Sequence, residues 1–372
     1  MSIFTKHFFI KPLKTYLNKQ ITLAQRPTGM LKNEDFRLVE TSISDIEDGQ
    51  ILIQNEFISL DPAMRGWMNE GTTYIRGVEI GAVMRAFSVG KIIESKNASF
   101  KKGQYVSGLL GVQSYVVNNG EGIVKINTKK VPPSWYLGVL GMPGMTAFFG
   151  ILSKGQLKNN ETVFISGAAG MIGTLVGQIA KIKGCKVVGS ASSDEKCNYL
   201  VNEIGFDAAI NYNKENLSES LKQHFSSGID VFFDNVGGET LDAGLANLAR
   251  GARVVICGAI SQYNNNEIYG PKNYMKIVSA RGILTGIIVF DFQQEYPKAI
   301  KQISKWLAER KIKYREHIEV GIERFPEVLL MLYKSENFGK LVLAPAPKRR
   351  SPLNPPMGDF KKINKKLTTL KI

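Results

Sequence analysis

The sequence has few of the side chains that bind transition metals or form disulfide bonds: its 372 residues include three cysteines and three histidines. No cysteine precedes Cys185, and the only earlier histidine is His7, in a basic N-terminal stretch. His224 and His317 have no partner at ligand spacing, and we expect surface or structural positions for both. The N-terminal half therefore cannot supply the Cys and His ligands of a catalytic zinc ion. A disulfide framework typical of secreted proteins finds no support.

Long apolar runs are also missing. A helix that crosses a bilayer needs roughly 20 apolar residues, whereas the longest candidates, such as Ile283–Phe290, have the length of a strand. We therefore expect a globular protein of the reducing cytoplasm. The sequence also contains neither a G-x-S-x-G nucleophile elbow nor a Walker lysine motif. Hydrolase and P-loop functions thus lack their central residues.

Acidic residues are scarce at the two ends of the chain. Residues 1–19 carry four lysines and no acid, and residues 346–372 carry eight basic residues and one aspartate. These ends contribute +4 and +7 to the formal net charge of +15, which leaves an ordinary +4 for the body. Five prolines between positions 345 and 356 argue against a packed element there. We predict a frayed basic extension over residues 1–19 and a disordered tail over residues 346–372.

The sequence between the two basic ends shows two kinds of apolar pattern, and it is long enough for two hydrophobic cores. From about residue 21 to residue 126, short apolar runs punctuated by glycine predict an irregular β-rich domain. From about residue 140, strand-like runs alternate with helical patterns, in which Met171–Lys183 and Tyr296–Arg310 repeat apolar residues on one face. This alternation predicts a parallel sheet covered by helices on both faces.

A glycine-rich segment, Val163-Phe-Ile-Ser-Gly167-Ala-Ala-Gly170-Met-Ile-Gly173, joins an apolar strand to an amphipathic helix. A tight turn there would bring the main chain close to a pyrophosphate, and the start of the helix offers free N–H groups to it. We expect Gly173 to let the helix pack closely on the strand. Ala168 replaces a glycine of the usual G-x-G-x-x-G motif, so the motif alone leaves an unrelated glycine-rich turn open.

The end of the next strand predicts which dinucleotide is bound. Proteins that prefer NAD place an acid about 20 residues beyond the motif to hold the ribose hydroxyls. Here the strand runs out through Gly189-Ser190-Ala191-Ser192, and Asp194 and Glu195 instead fit the first turn of a helix. The missing acid and the nearby Lys196 favour NADPH, although Lys196 could equally be a solvated surface charge.

At this point the chain resembles the zinc-free medium-chain dehydrogenase/reductases of the prostaglandin reductase, alkenal reductase and bacterial curcumin reductase group. One departure is Phe148, where relatives often carry tyrosine. The matching segments extend from about residue 21 to residue 343 and are Leu23-Ala-Gln-Arg-Pro-Thr-Gly, Leu60-Asp-Pro-Ala-Met-Arg-Gly-Trp-Met, Leu140-Gly-Met-Pro-Gly-Met-Thr-Ala, Ser166-Gly-Ala-Ala-Gly-Met-Ile-Gly, Phe233-Asp-Asn-Val-Gly-Gly-Glu, Cys257-Gly-Ala-Ile-Ser-Gln-Tyr-Asn and Asn337-Phe-Gly-Lys-Leu-Val.

The resemblance implies an α/β Rossmann domain with a doubly wound parallel sheet over residues 141–310. It also implies a β-rich, GroES-like catalytic domain over residues 20–140, completed by residues 311–345, and a homodimer. The expected NADPH-binding residues are Gly167, Ala168, Gly170, Met171, Ile172 and Gly173 at the pyrophosphate; Ser190 at the strand end, with Lys196 and Tyr212 at the 2′-phosphate; and Asn235, Cys257, Gly258, Ala259, Ile260, Ser261, Tyr263, Ile287, Ile288, Val289, Phe290 and Asn337 along the nicotinamide half.

A metal-free cleft beside NADPH suits hydride transfer to the β carbon of a conjugated ketone or aldehyde, because such a substrate accepts the charge on its own carbonyl oxygen. Tyr263 is the leading candidate for the proton donor, with a packing or cofactor-positioning role as its alternative. Tyr274 and Tyr74 are weaker candidates on loops. Arg65 could face the substrate or form a structural ion pair, and Met64 could line the pocket or pack in the core.

Two other functions remain open at this stage. A quinone reductase on the same scaffold would also reduce a flat conjugated acceptor, and the sequence separates the two poorly. The basic ends motivate a nucleic-acid-binding protein that retains NADPH as a ligand. The near-neutral body and the lack of aromatic residues among the charges of the tail weaken that second alternative.

Overall fold

The computed structural model describes residues 14–346, so the predictions for most of the basic N-terminal extension and for the C-terminal tail lie outside the described residues. The strands are β1 (Tyr16–Leu23), β2 (Phe36–Ile43), β3 (Ile51–Ser59), β4 (Ser88–Ser95), β5 (Tyr105–Gly108), β6 (Tyr115–Asn118), β7 (Ile123–Ile126), β8 (Thr162–Ile165), β9 (Lys186–Ala191), β10 (Ala208–Asn211), β11 (Ile229–Asp234), β12 (Leu248–Ile256), β13 (Ile283–Gly286), β14 (Glu316–Val320) and β15 (Lys340–Ala344). The helices are α1 (Met64–Trp67), α2 (Met142–Phe149), α3 (Met171–Ile182), α4 (Asp194–Tyr199), α5 (Leu217–His224), α6 (Gly238–Ala246), α7 (Lys276–Ala280), α8 (Tyr296–Ala308) and α9 (Phe325–Tyr333).

Strands β8 to β13 form one sheet in the order β10-β9-β8-β11-β12-β13, and every pair in it is parallel. The chain places β8, β9 and β10 in order toward one edge of the sheet, and then returns to place β11 on the other side of β8. Ligands of doubly wound folds bind at this point of reversal, beyond the carboxyl ends of the strands. The predicted Rossmann sheet is confirmed, and we call the part of the chain that contains it, residues 141–310, the Rossmann lobe.

The strand expected over Ile283–Phe290 is shorter than predicted. It ends at Gly286, and the chain then forms a 3-10 helix over Val289–Glu295. The reason is the length of its neighbour, since β12 ends at Ile256 and that residue pairs with Gly286. Beyond this pair the apolar residues have no strand to bond with. They are free to turn toward the carboxyl edge of the sheet.

The other part of the molecule, residues 14–140 and 311–346, is called the β-rich lobe here. Its larger sheet has the order β14-β15-β3-β4-β5-β7, with β6 paired to β3, and β1 and β2 form a two-stranded sheet. Because β15 pairs with β3, residues from the C-terminal end of the body complete a sheet made near the N-terminus. The helix α9 packs in the same core through Phe325, Val328 and Leu329. A β-rich, GroES-like lobe was predicted, and the fold confirms it.

The predicted frayed extension over residues 1–19 is wrong at its C-terminal end, because Tyr16 begins β1. Tyr16 pairs with Ile43 in an antiparallel ladder, so the main chain of this segment is bonded. Asn18 is buried, and its side-chain amide bonds to Gln113 and to the N–H of Tyr115. A lysine-rich sequence thus forms a strand here because partners distant in the chain satisfy its polar groups.

Two absences apply to the described part of the chain. Between residues 14 and 346 no helix has the length and apolar character needed to cross a membrane. The cysteines Cys185, Cys197 and Cys257 are all free thiols.

Candidate active site

The glycine-rich turn lies between β8 and α3, as predicted. Gly167 has a φ of +57°, a conformation that other residues rarely adopt. A Cβ atom on Gly173 would come within 2.6 Å of the Cα of Ala168, so the close contact of helix and turn depends on this glycine. Helix α3 starts after Gly170 without a side-chain cap. Its first N–H groups are therefore available to an anion, for which a helix start is a ready site.

A buried carboxyl group fixes the neighbouring strand ends. The Ser166 hydroxyl lies 2.5 Å from Asp234 Oδ1, and the carboxylate also accepts N–H bonds from Val236 and Gly237. The Asn235 N–H donates to the Ser166 hydroxyl, and the Asn235 side-chain amide donates to the Ser166 carbonyl. Burial raises the pKa of Asp234, whereas the hydrogen bonds that its carboxylate accepts from Ser166, Val236 and Gly237 lower it. Asn235 is thus held beside the glycine-rich turn by the hydroxyl and the carbonyl of Ser166, the residue that follows β8.

Sequence reasoning missed the roles of Ser166 and Asp234, although a signal was available. Asp234 ends a strand that is otherwise largely apolar, and carboxyl groups are almost never fully buried unless they are paired. An acid at the end of such a strand therefore indicates a structured polar contact. Its neighbour Asn235 was among the predicted residues because of the resemblance alone.

Ser190 takes part through its main chain and not through its side chain. Its carbonyl accepts the N–H of Ala168 at 2.9 Å, which ties the glycine-rich turn to β9. The side chain has no exposed surface, and no partner for its hydroxyl is described within residues 14–346. Ser190 stays a predicted cofactor-binding residue, and its hydroxyl is enclosed in this structure.

Lys196 lies in the first turn of α4, where Ser193 caps the helix and Asp194 and Glu195 occupy the turn as predicted. The Lys196 ammonium donates to the carbonyl of Ser335, a residue of the β-rich lobe, at 2.5 Å. Burial lowers the pKa of Lys196. None of the ion pairs found in the described chain involves it, since Asp194 pairs with Lys214 instead. A half-buried cation with a neutral partner is well suited to bind an anion.

Tyr212 follows β10 and lies beside the end of β9. Its N–H donates to the carbonyl of Ala191, the last residue of that strand, and its side chain is 37% exposed. Tyr212 therefore flanks the same strand end as the helix that carries Lys196. The two residues predicted for the 2′-phosphate lie on neighbouring segments of the Rossmann lobe.

The segment from Cys257 to Tyr263 follows β12 and is bonded to the end of β11. The N–H groups of Cys257 and Gly258 donate to the carbonyl of Asp234, and the Ile260 N–H donates to that of Asn235. The Ser261 hydroxyl donates to the carbonyl of Val236. These bonds place the predicted nicotinamide-side residues at the carboxyl edge of the parallel sheet, next to the point of chain reversal.

The hydroxyl of Tyr263 accepts the N–H of Ala259 at 3.1 Å. Within residues 14–346 no acceptor is described for its own hydrogen, which is therefore available to a ligand. Burial raises the pKa of Tyr263, and the nearby groups of Cys257 and Tyr74 shift it in the same direction. Burial also raises the pKa of Cys257 to about 12. Both groups are thus protonated at neutral pH.

Aromatic rings from both lobes meet beside Tyr263. The ring of Phe290 lies 6.3 Å from the rings of Tyr74 and Phe87, measured between centroids. The hydroxyl of Tyr74 accepts the indole N–H of Trp67 at 3.0 Å. Phe290 belongs to the Rossmann lobe and the other rings to the β-rich lobe. The arrangement can hold a flat apolar molecule near two phenol groups.

The remaining residues of the predicted nicotinamide half lie along the same edge. Ile287 and Val289 are buried, whereas Ile288 and Phe290 keep part of their surface exposed. Asn337 belongs to the β-rich lobe, and its amide donates to the carbonyl of Gly339, which forms a β-bridge with Gly170. This places Asn337 near the glycine-rich turn.

Three predicted residues have different surroundings from those expected. Tyr274 is 58% exposed in the turn before α7, and no contact of its side chain with the other candidates is described within residues 14–346. Met64 has no exposed surface and packs in the apolar core, which was the alternative to a pocket wall. The expected ion pair of Arg65 is wrong, because its partners are the neutral oxygens of Asn264, Asn69, Pro27 and Gly29. These acceptors come from loops that only the fold brings together.

Potential metal ligands do not gather in the described structure. Between residues 14 and 346 no group of three or more His, Cys, Asp or Glu side chains could hold a metal ion. His317 instead contacts Glu319 at 3.0 Å on β14, a structural position as predicted.

Models of two protein families match the chain. The first, described as the N-terminal domain of oxidoreductase, matches residues 19–126. The second, described as zinc-binding dehydrogenase, matches residues 172–305. The two matches fall in the β-rich lobe and the Rossmann lobe respectively.

The chain is also similar to characterised proteins along most of its length. It is 38% identical to the NADPH-dependent curcumin reductase of Escherichia coli, with 88% of this chain and 96% of that protein covered. It is 39% identical to the NADP-dependent 2-alkenal reductase of Nicotiana tabacum, with 88% and 97% covered. The crystal structure of CurA from Vibrio vulnificus in complex with NADPH superimposes with a TM-score of 0.83 at 37% identity, covering 89% of this chain and 99% of that one.

The surroundings of Lys196 generate a test of cofactor selectivity. We expect Lys196→Ala to raise the dissociation constant for NADPH about 10- to 100-fold, because one charge-assisted hydrogen bond contributes roughly 1.5–3 kcal/mol. The constant for NADH should change much less, since NADH has no 2′-phosphate. Fluorescence titration of the full chain measures both constants, with the exposed lysine of Lys298→Ala as a control for charge alone. Equal weakening of both dinucleotides would contradict a phosphate contact.

Proposed function

The chain belongs to the medium-chain dehydrogenase/reductase family, in the group of the curcumin, alkenal and prostaglandin reductases, and we propose that it reduces the carbon–carbon double bond of α,β-unsaturated ketones and aldehydes with NADPH, without a metal ion. The named relatives act on such substrates, as the (+)-pulegone reductase of Mentha piperita also does by its name. The single observation that carries the proposal in this chain is the protonated Tyr263 in an aromatic cleft at the carboxyl edge of the Rossmann sheet.

The cofactor end of the cleft fits a dinucleotide with a 2′-phosphate. The contact between Gly173 and Ala168 leaves room for main chain only, and the start of α3 beside it presents unbonded N–H groups. At the other end, Lys196 offers a half-buried ammonium group whose partner is a carbonyl. Gly167 to Gly173 would hold the pyrophosphate, and Lys196 with Tyr212 would hold the 2′-phosphate. When bound, the cofactor supplies the hydride.

The substrate end fits a conjugated carbonyl compound. The rings of Tyr74, Phe87 and Phe290 provide an apolar wall for a flat molecule. The carbonyl oxygen of such a substrate gains negative charge as its β carbon is reduced, and a positioned hydrogen-bond donor stabilises that charge. Tyr263 has a hydrogen available for this purpose, because its oxygen already accepts the N–H of Ala259. The enolate then takes a proton at its α carbon, either from this phenol, which regains a proton from water, or from water directly.

The proposal that no metal takes part rests on residue types. No cysteine precedes Cys185 in the sequence, and the only histidine before it is His7. The β-rich lobe therefore has no cysteine, and its one histidine, His317, contacts Glu319 instead. A conjugated substrate needs no Lewis acid at its carbonyl when a phenol donates to the oxygen.

The direct test is NADPH oxidation with a panel of enones, enals and quinones, followed by product analysis, and repeated with a chelator. We expect saturated ketones and aldehydes as products and rates that the chelator leaves unchanged. Turnover of quinones to hydroquinones without reduction of enones would favour quinone reductase activity instead. Loss of activity with the chelator would contradict the metal-free mechanism.

The raised pKa of Tyr263 predicts the pH dependence of turnover. Because the phenol must carry its proton, kcat should not fall as the pH rises toward 10.0, the ordinary pKa of tyrosine, and should decline only above it. Tyr263→Phe should lower kcat about 10- to 100-fold, remove that decline and leave NADPH binding within about twofold. The matched control is Tyr274→Phe, which removes an exposed phenol without contacts in the site. If kcat of the wild type declined below pH 9 and the decline persisted in Tyr263→Phe, a group other than Tyr263 would be responsible for it.

We further propose that the chain forms a homodimer across β13. This strand is one edge of the Rossmann sheet, and it exposes Ile283 and Leu284 by 55% and 44%. Val278 and Met275 on the adjoining segment are also exposed, by 67% and 57%. An unpaired apolar edge is a site for pairing with another strand, and a second copy can supply the same edge by twofold symmetry.

Changing the charge of this edge tests the dimer. We expect the wild-type chain to sediment at twice its 41.2 kDa mass, and Ile283→Lys with Leu284→Lys to sediment as a monomer, because desolvating two lysines prevents the contact. Val124→Lys is the matched control, since it lies 63% exposed on β7, the edge strand of the other large sheet. A dimer that survives the double substitution would place the interface elsewhere.

A further inference from the structure

Arg65 joins three segments of the chain through four hydrogen bonds, although it is only 5% exposed. Within the β-rich lobe its guanidinium donates to Asn69 Oδ1 at 2.7 Å and to the carbonyls of Pro27 and Gly29 at 3.0 and 3.3 Å. The fourth bond crosses to the Rossmann lobe, where Nε donates to Asn264 Oδ1 at 3.1 Å. The planar guanidinium holds all four acceptors in fixed directions.

The partner in the Rossmann lobe is the residue that follows Tyr263. Asn264 is approached by the β-rich lobe at a second point, because a Cβ placed on Gly29 would lie 3.9 Å from the Asn264 carbonyl oxygen. Gly29 has a φ of +71°, so glycine is the residue suited to this close approach. The residue next to Tyr263 is thus bonded to the opposite lobe through its side chain, and its carbonyl lies near Gly29 of that lobe.

The start of the segment that carries Tyr263 is bonded to the end of β11, and the Tyr263 hydroxyl is tied to the N–H of Ala259, five positions before Asn264. The bond from Arg65 is the side-chain contact of Asn264 at the other end of this segment. Residues Asn265 to Ile268, which come next, are exposed. If the bond from Arg65 were lost, this end would keep only bonds within its own loop, such as that from the Asn265 N–H to the Gln262 carbonyl, and the phenol would be held less firmly.

We propose that Arg65 is a positioning residue that fixes the Tyr263 phenol through Asn264, so that proton donation requires the β-rich lobe to be docked on the loop after β12. The inference rests on the proposed function of Tyr263. Arg65 acts through Asn264 and not on a reactant, since four of its five N–H donors bond to protein oxygens. A buried cation that has lost its water is stabilised only when these acceptors are in place, which opposes separation of the lobes.

Variants of Asn264 test the proposal with less risk to folding than variants of the buried arginine. Asn264→Leu keeps the shape of the side chain and removes the acceptor. Asn264→Asp keeps an acceptor and adds a charge of the sign that attracts Arg65. Asn266→Leu is the control, because it makes the same exchange at an exposed position two residues away. Each is made in the full chain and in the Tyr263→Phe background.

Two readouts separate positioning from general stability. The first is amide hydrogen exchange at Ala259, whose N–H reports directly on the Tyr263 hydroxyl that accepts it. We expect Asn264→Leu to speed this exchange about tenfold, and Asn264→Asp and Asn266→Leu to leave it within about twofold of the wild type. The second readout is steady-state kinetics. We expect Asn264→Leu to lower kcat about tenfold with the KM for NADPH within about twofold, and Asn264→Asp to restore most of that loss.

The double variants give the deciding comparison. If Asn264 acts through Tyr263, Asn264→Leu will change kcat less than twofold once Tyr263 is phenylalanine. An equal loss in both backgrounds, or unchanged exchange at Ala259 in Asn264→Leu, would overturn the proposal. A wild-type chain that binds NADPH but reduces no enone would refute the proposed function alone, because the exchange measurement still decides whether Asn264 positions Tyr263.

Discussion

The buried hydrogen bond between Ser166 and Asp234 is the contact on which the arrangement of the site depends. It links the ends of β8 and β11, the two strands between which the chain reverses direction. The carboxylate orders the N–H groups of Val236 and Gly237, and the carbonyl of Asp234 accepts those of Cys257 and Gly258. Hydrogen bonds thus join the ends of β8, β11 and β12 into one unit. Burying a carboxyl group is costly unless it is hydrogen-bonded, and here each bond also places a segment of the cleft.

From this unit the cleft extends along the boundary between the lobes, where three polar or main-chain contacts accompany the ring contacts of Phe290. Gly170 forms a β-bridge with Gly339 at the glycine-rich turn. Lys196 donates to the carbonyl of Ser335 on one side of that turn, and Arg65 donates to Asn264 beside the substrate end. Each contact joins a residue of the Rossmann lobe to one of the β-rich lobe. A ligand that lies along the whole cleft therefore meets both lobes throughout, so its binding and their docking depend on each other.

Sequence reasoning identified the framework because the framework follows local rules. Apolar periodicity located α3 and α8 to within a few residues, and glycine spacing located the turn before α3. The surroundings of single positions depend instead on direction and on distant partners. Ser190 stands on a strand, where successive side chains face opposite sides, so its place in the sequence does not reveal which side is enclosed. The acceptor of Arg65 in the Rossmann lobe is Asn264, which no local pattern connects to it.

Two poorly solvated cations near the cleft, Lys196 and Arg65, differ in the number of protein acceptors that surround them. Neither Lys196 nor Arg65 is part of an ion pair found in the described chain, and burial lowers the pKa of both. Arg65 makes four hydrogen bonds to protein oxygens, so its donors are largely used and its charge is shared among neutral dipoles. Lys196 makes one described bond, to a carbonyl, and keeps hydrogens free. An incoming phosphate gains little from Arg65, because it would have to replace contacts that hold the lobes together. We propose that at Lys196 a phosphate would complete a shell that the protein leaves open, and that the preference for a phosphorylated dinucleotide would follow from that unfilled coordination.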